Sequence, residues 1–163
     1  MPYVKINTKY VEFATVIYLD ANNGNDSTGT GTESNPYKTL SSTTIGKVTV
    51  HGTCMVLKAG TYNTAAIALG AYNLTIVGEG KDTVIVSSST VSKTTGTTLT
   101  IYNLVWKYGA RFITSTNVAL TAYNVVFEST GSEGYILYAN SRDHDFYNCL
   151  IIRAAATLAI FIG

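Results

Sequence analysis

The sequence predicts an all-β chain wound as a right-handed parallel β-helix, a short solenoid with coils of about 21–25 residues. Three observations carry this reading. Strand formers alternate in "LTIVG", "TLTIYN", "VALTAYN" and "NVVFES", and charged stretches at helical spacing are absent. The segments "LTIYNLVWK" from Leu99, "LTAYNVVFE" from Leu120 and "HDFYNCLII" from His144 superimpose without gaps, so their Tyr-Asn pairs recur at steps of 21 and 24 residues. A further segment, "LTIVGEGKDTVIV" from Leu74, opens in the same way 25 residues before Leu99. A sandwich or closed barrel would give evenly spaced hairpins with tight turns and no persistent Tyr-Asn register.

Taken in chain order, residues 1–16 form an N-terminal arm or cap strand, and residues 17–163 form the β-helix. Within it, 18–40 is an opening strand and polar loop. "YLDANNGNDSTGTGTESNPYKTL" is too long to be an idle connection, so it is expected to fold on itself. Its Asn and Asp side chains would bond their own backbone, its glycines would supply positive φ, and Pro36 would restart an extended chain. "SSTTIGKVTVHGT" is Thr- and Val-rich and a poor helix former, so a strand or irregular turn is expected there. Either that segment or the N-terminal arm would cover the first coil.

Residues 74–153 make the regular coils. Leu99 and Ile101 point inward, Tyr102 outward, Asn103 turns a corner, and Leu104 and Trp106 point inward again. The scheme repeats from Leu120 and from His144, which places His144 inside. Like positions in successive coils lie about 4.8 Å apart. Asn103, Asn124 and Asn148 are therefore expected to pass hydrogen bonds from amide to amide, with the left-handed backbone that Asn tolerates. The final ten residues carry no charge, so the C-terminal end reads as uncapped, which points to a longer protein or a covering subunit.

Length bounds the chain to one domain with a real core. Charged residues are only 13% of it, about half the roughly 25% usual in soluble domains, and the net charge is +1. Such a surface suits an assembly or an extracellular setting, and it lacks the basic footprint of a nucleic-acid binder. "MPYVKINTKY" has no signal-peptide pattern, and "AAATLAIFIG" is too short to span a membrane, so neither general secretion nor membrane insertion is expected. Cys54 and Cys149 read as buried thiols.

Little in the sequence points to chemistry. "DANNGND" looks superficially like a calcium loop, but Gly24 stands where a ligand is needed, so it reads as an Asn/Asp turn. "SRDHD" gathers Arg142, Asp143 and Asp145, a weak polar-site candidate that is more simply a solvated, locally paired loop. No nucleophile motif surrounds His51, and "GEG" is a turn rather than a nucleotide site. No catalytic residues, metal site or cofactor is assigned. The aromatic residues say more. Tyr102, Tyr123 and Tyr147 share one outward position, and their stack can meet a sugar or a protein, or simply stiffen the coil.

The opening run, followed by "GTCMVLKAGTYN" and "LTIVGEGKDTVI", resembles the pectate-lyase-like right-handed β-helix superfamily over roughly residues 17–89, and the Asn corners carry the likeness to about 153. The fold implied is strong and the function weak, because that fold hosts lyases, hydrolases, phage tailspikes and inert spines. By analogy within the superfamily, the expectation is a non-enzymatic module of a phage or phage-like particle: a tail fibre, tailspike or virion-surface protein. Its partners would be its own copies as a homotrimer, other virion subunits, or a cell-surface glycan. Two alternatives stand beside it. One is a polysaccharide lyase or glycoside hydrolase whose catalytic coils lie beyond this span or at a subunit interface. The other is a bacterial surface adhesin exported without a signal peptide.

Overall fold

A computed structural model describes residues 1–64, 67–88, 91–94, 96–109, 112, 117–131, 143–153 and 160–162. In chain order these form β1 (Tyr3–Ile6), β2 (Lys9–Glu12), β3 (Thr15–Leu19), α1 (Ser42–Ile45), β4 (Thr53–Leu57), β5 (Gly60–Thr64), β6 (Ile67–Ala68) and β7 (Leu74–Gly78). β8 (Thr83–Ser87), β9 (Val91–Ser92), β10 (Thr98–Tyr108), β11 (Ala119–Ser129), β12 (His144–Tyr147), β13 (Cys149–Arg153) and β14 (Ile160–Ile162) follow.

The strands stack as a short parallel β-solenoid. One face runs β3, β4, β7, the first half of β10, the first half of β11, then β12, each parallel to the next. The second face runs β5, β8, the second halves of β10 and β11, then β13. β6 and β9 make a short parallel pair on a third side. The repeats set the register: Leu74 pairs with Leu99, Leu99 with Leu120, and Leu120 with His144.

Strand alternation sends one set of side chains into the axis. Leu74, Ile76, Leu99, Ile101, Leu120 and Ala122 fill it from the first face, while Ile85, Trp106 and Phe127 fill it from the second; all are buried. Phe112 packs edge-on against Trp106 and Phe127, with ring centroids 4.8 and 5.0 Å apart. The Trp106 indole N–H donates to Ser87 Oγ at 3.3 Å, so the largest core ring leaves no polar atom unmet. His144, at the end of this inward row, is half-buried, and its Nδ1 accepts the Leu120 N–H at 3.2 Å. Cys54 and Cys149 are buried free thiols.

The polar loop does fold on itself. Asp20 Oδ1 accepts the N–H groups of Asn22 and Asn23, Asn25 Oδ1 those of Ser27 and Thr28, and Asp26 Oδ1 those of Lys38 and Thr39. Burial pushes the Asp20 and Asp26 carboxyls up, yet these donors and the nearby Lys58 and Lys38 outweigh it and hold both below the usual range. The glycines have a different task from the one expected. Only Gly31 of this loop takes positive φ, at 75°, whereas a Cβ at Gly24 would strike the Tyr37 carbonyl.

Two expectations need correction. Residues 42–45 are helical, because Ser41 caps the turn, its Oγ accepting the Thr44 N–H, and Ile45 is buried in the core with Leu40 and Val48. Tertiary burial outweighs propensity in so short a helix. The N-terminal arm does not cover the end of the first coil: β1 and β2 form an antiparallel hairpin that lies on the outward side of the first face. At the other end, β14 pairs antiparallel along Cys149–Ile151 of β13. Among the described residues, no helix is long and apolar enough to cross a membrane.

Candidate functional site

The outward side of the first face carries two rows set by the strand register. One row reads Val16, Cys54, Thr75, Thr100, Thr121, Asp145, and the other Tyr18, Val56, Val77, Tyr102, Tyr123, Tyr147. Apolar residues therefore cluster at Val16, Cys54, Val56 and Val77. Water is a poor neighbour for such a patch, and the arm lies over it. Val4, Ile6 and Phe13 are buried against Cys54 and Val77, with Val16, Val56 and Tyr102 packed at the margin. The hydrophobic effect thus decides where the hairpin sits and where it stops.

It stops at the tyrosines. Tyr102 and Tyr123 stack with centroids 4.8 Å apart and planes 5° from parallel, and Tyr123 and Tyr147 at 4.7 Å and 8°. Parallel pairing at one strand spacing gives this face-on arrangement, with the pleat aiming all three rings alike. Burial under the arm, and then the neighbouring Tyr123, push the Tyr102 phenol upward. Tyr123 is half-buried, and Tyr147 is 47% exposed, so the open surface grows away from the hairpin.

Beside the rings runs the corner. Asn103, Asn124 and Asn148 take φ of 56°, 55° and 51°, the left-handed backbone a sharp turn demands. Asn148 Nδ2 donates to Asn124 Oδ1 at 2.8 Å, and Asn124 Nδ2 donates to Asn103 Oδ1 at 2.9 Å. One coil earlier the corner residue is Gly78, where a Cβ would lie 2.5 Å from the Asn103 carbonyl oxygen. The ladder does not end there. Asn103 Nδ2 donates to Oδ1 of Asn7, the turn residue of the hairpin, at 3.1 Å, and Asn7 itself has φ of 54°.

No family model matches the chain, and comparison with curated proteins and with solved structures finds no match.

The remaining sequence candidates are placed as follows. Asp143 and Asp145 are exposed and flank His144, whose imidazole is lowered by burial against the opposing pull of those two carboxylates. Arg142 lies outside the described residues. Among the described residues no group of His, Cys, Asp and Glu is gathered as a metal site would need. On the second face, an outward row of Val84, Val105, Val126 and Leu150 is half-buried, and beside it Lys107 Nζ meets Glu128 Oε2 at 3.0 Å.

Asn7 is the residue that sequence reasoning missed. A signal for it exists: "YVKI" and "KYVE" alternate on either side of Asn7-Thr8, and a two-residue loop with Asn first is a hairpin pattern. Finding that loop on the ladder requires knowing that the corner one coil earlier is a glycine.

Proposed function

We propose that this chain is a non-enzymatic display module of the phage-particle kind, a segment of a tail fibre, tailspike or virion surface built as a stiff rod. Its contact face is the tyrosine stack beyond the arm, Tyr123 and Tyr147, which meets a cell-surface glycan or a neighbouring virion protein. The observation that carries this reading is the pairing of the ring stack with the amide ladder. Together they fix three identical rings on one edge without relying on a flexible loop, and a rigid aromatic surface loses little entropy when it binds. The likeness to pectate-lyase-like β-helices supports the particle context by analogy alone.

Self-association is the second part of the proposal. The half-buried row Val84, Val105, Val126, Leu150 is an apolar strip with the Lys107–Glu128 pair beside it, and it suits burial against copies of the same chain. The test combines mass in solution with surface binding. The native chain is expected to sediment as a trimer, and Val126→Glu as a monomer with unchanged circular dichroism. Tyr147→Ala is expected to lose binding to bacterial surface polysaccharide or to a virion subunit while remaining trimeric. A native monomer, or turnover of the polysaccharide into new reducing or unsaturated ends, overturns the reading.

A further inference from the structure

The hairpin also builds a cleft. Where its edge meets the corner of the solenoid, a depression of about 520 Å³ opens, a size suited to a small ligand. Its walls come from segments distant in sequence: Tyr3, Lys5 and Asn7 from the arm, Tyr18 from the first strand, and Glu33 from the polar loop. Lys58, Glu79 and Asn103 close the corner side.

The lining is chemically mixed, and the mixture narrows the ligand. Lys5 and Lys58 offset Glu33 and Glu79, so the cleft has no net charge and offers no field to attract a polyanion or a phosphate. Two of the four charges are already engaged: Lys58 lies 3.8 Å from Asp20, and Glu79 Oε2 accepts the Ala59 N–H at 2.8 Å. The side chains of Lys5 and Glu33 and the hydroxyls of Tyr3 and Tyr18 make no hydrogen bond among the described residues. Asn7 uses its Oδ1 in the ladder and keeps its Nδ2 for other partners. The site therefore offers donors and acceptors side by side, with two tyrosine rings beside them.

We propose that this cleft binds a short neutral saccharide. A ligand whose groups both donate and accept can use Lys5, Glu33 and the Asn7 amide together, and sugar hydroxyls do both. The C–H faces of a pyranose pack on tyrosine rings, which have an apolar body and a polar tip. A phosphate or acidic sugar gains no net attraction where Glu33 and Glu79 offset Lys5 and Lys58, and an aliphatic ligand would strand the polar wall without partners. The cleft is separate from the Tyr123–Tyr147 face, and its occupancy does not depend on that face being a contact surface.

The side-chain amide resonances of Asn7 and Asn103 report on the site directly. The isotope-labelled full chain would be titrated with cellotriose, maltotriose and chitotriose at millimolar concentration, with trigalacturonate and inorganic phosphate as charged probes. At least one neutral trisaccharide is expected to shift both amides saturably. Tyr3→Ala and Lys5→Ala, both at exposed positions, are expected to weaken it at least tenfold, and Tyr123→Ala to leave it unchanged. The proposal fails if none of the three neutral probes moves those amides, or if a charged probe binds more tightly. It also fails if Tyr123→Ala abolishes binding while Tyr3→Ala does not.

Discussion

Asn103 donates to Asn7 across a separation of 96 residues, so the amide ladder of the solenoid begins in the N-terminal hairpin. A loop residue of the arm stands at the corner where the coil itself offers only Gly78.

That ladder predicts a split between two substitutions at one position. Asn124→Ala loses both ladder bonds and forces a Cβ-bearing residue without a helpful side chain into a φ of 55°. Exposure limits the bond loss, so the sum is about 2 kcal/mol, of which roughly half is backbone strain. Asn124→Gly relieves the strain and loses the bonds alone. Urea unfolding of both variants checks this, and equal destabilisation would show that the backbone angle contributes nothing.

Gly78 is expected to tolerate no side chain. A Cβ there meets the carbonyl of Asn103 and lies 2.8 Å from the Leu104 side chain, and backbone cannot swing aside as a flexible side chain can. Gly78→Ala should cost roughly 2–3 kcal/mol by overpacking and shift the urea midpoint accordingly.

Cys54 reports on the arm. It is fully buried beneath Ile6 and Val4, and burial pushes its thiol up to about 12, so it should react with disulfide reagents only when the hairpin lifts. In a Cys149→Ala background, Ile6→Asp places a carboxylate in that contact and is expected to speed labelling at least tenfold. Lys9→Asp, on the exposed strand of the hairpin, should leave the rate unchanged.

Lys93 predicts an alkaline response. It is 2% exposed, and its Nζ donates to the carbonyls of Leu69, Gly70 and Tyr72. Burial lowers its pKa to about 8, against about 10.4 in an unfolded chain. Between those values Lys93 binds more protons in the unfolded chain, so its contribution to stability should rise with pH from about 8 to 10. Cys54, Cys149, Tyr62 and Tyr108, all raised by burial, oppose it, the thiols from about 8.5 and the phenols from about 10, where these groups ionise in the unfolded chain. Chemical denaturation across this range should show the native chain gaining stability relative to Lys93→Met as the pH rises.

The repeats were legible because like residues sit over like. Leu74, Leu99, Leu120 and His144 follow from spacing alone, and so do the corners at Asn103, Asn124 and Asn148. The helix at Ser42–Ile45 was not legible, since a capping hydroxyl and the burial of Ile45 hold it rather than any preference of Thr or Ser. The position of the arm was hidden for another reason. Val16, Cys54, Val56 and Val77 become one apolar patch only when the register sets them side by side. The cleft depended on that same placement, because its walls are drawn from the arm, the polar loop and two corners.

The hairpin lies across rungs that the solenoid joins only edge to edge. Tension along the axis would peel a bare stack one strand at a time, each step breaking a few backbone bonds. By touching Val16, Cys54, Val77 and Tyr102 at once, the arm makes the first four rungs share the load and yield together. That end of the solenoid is therefore the one that resists peeling.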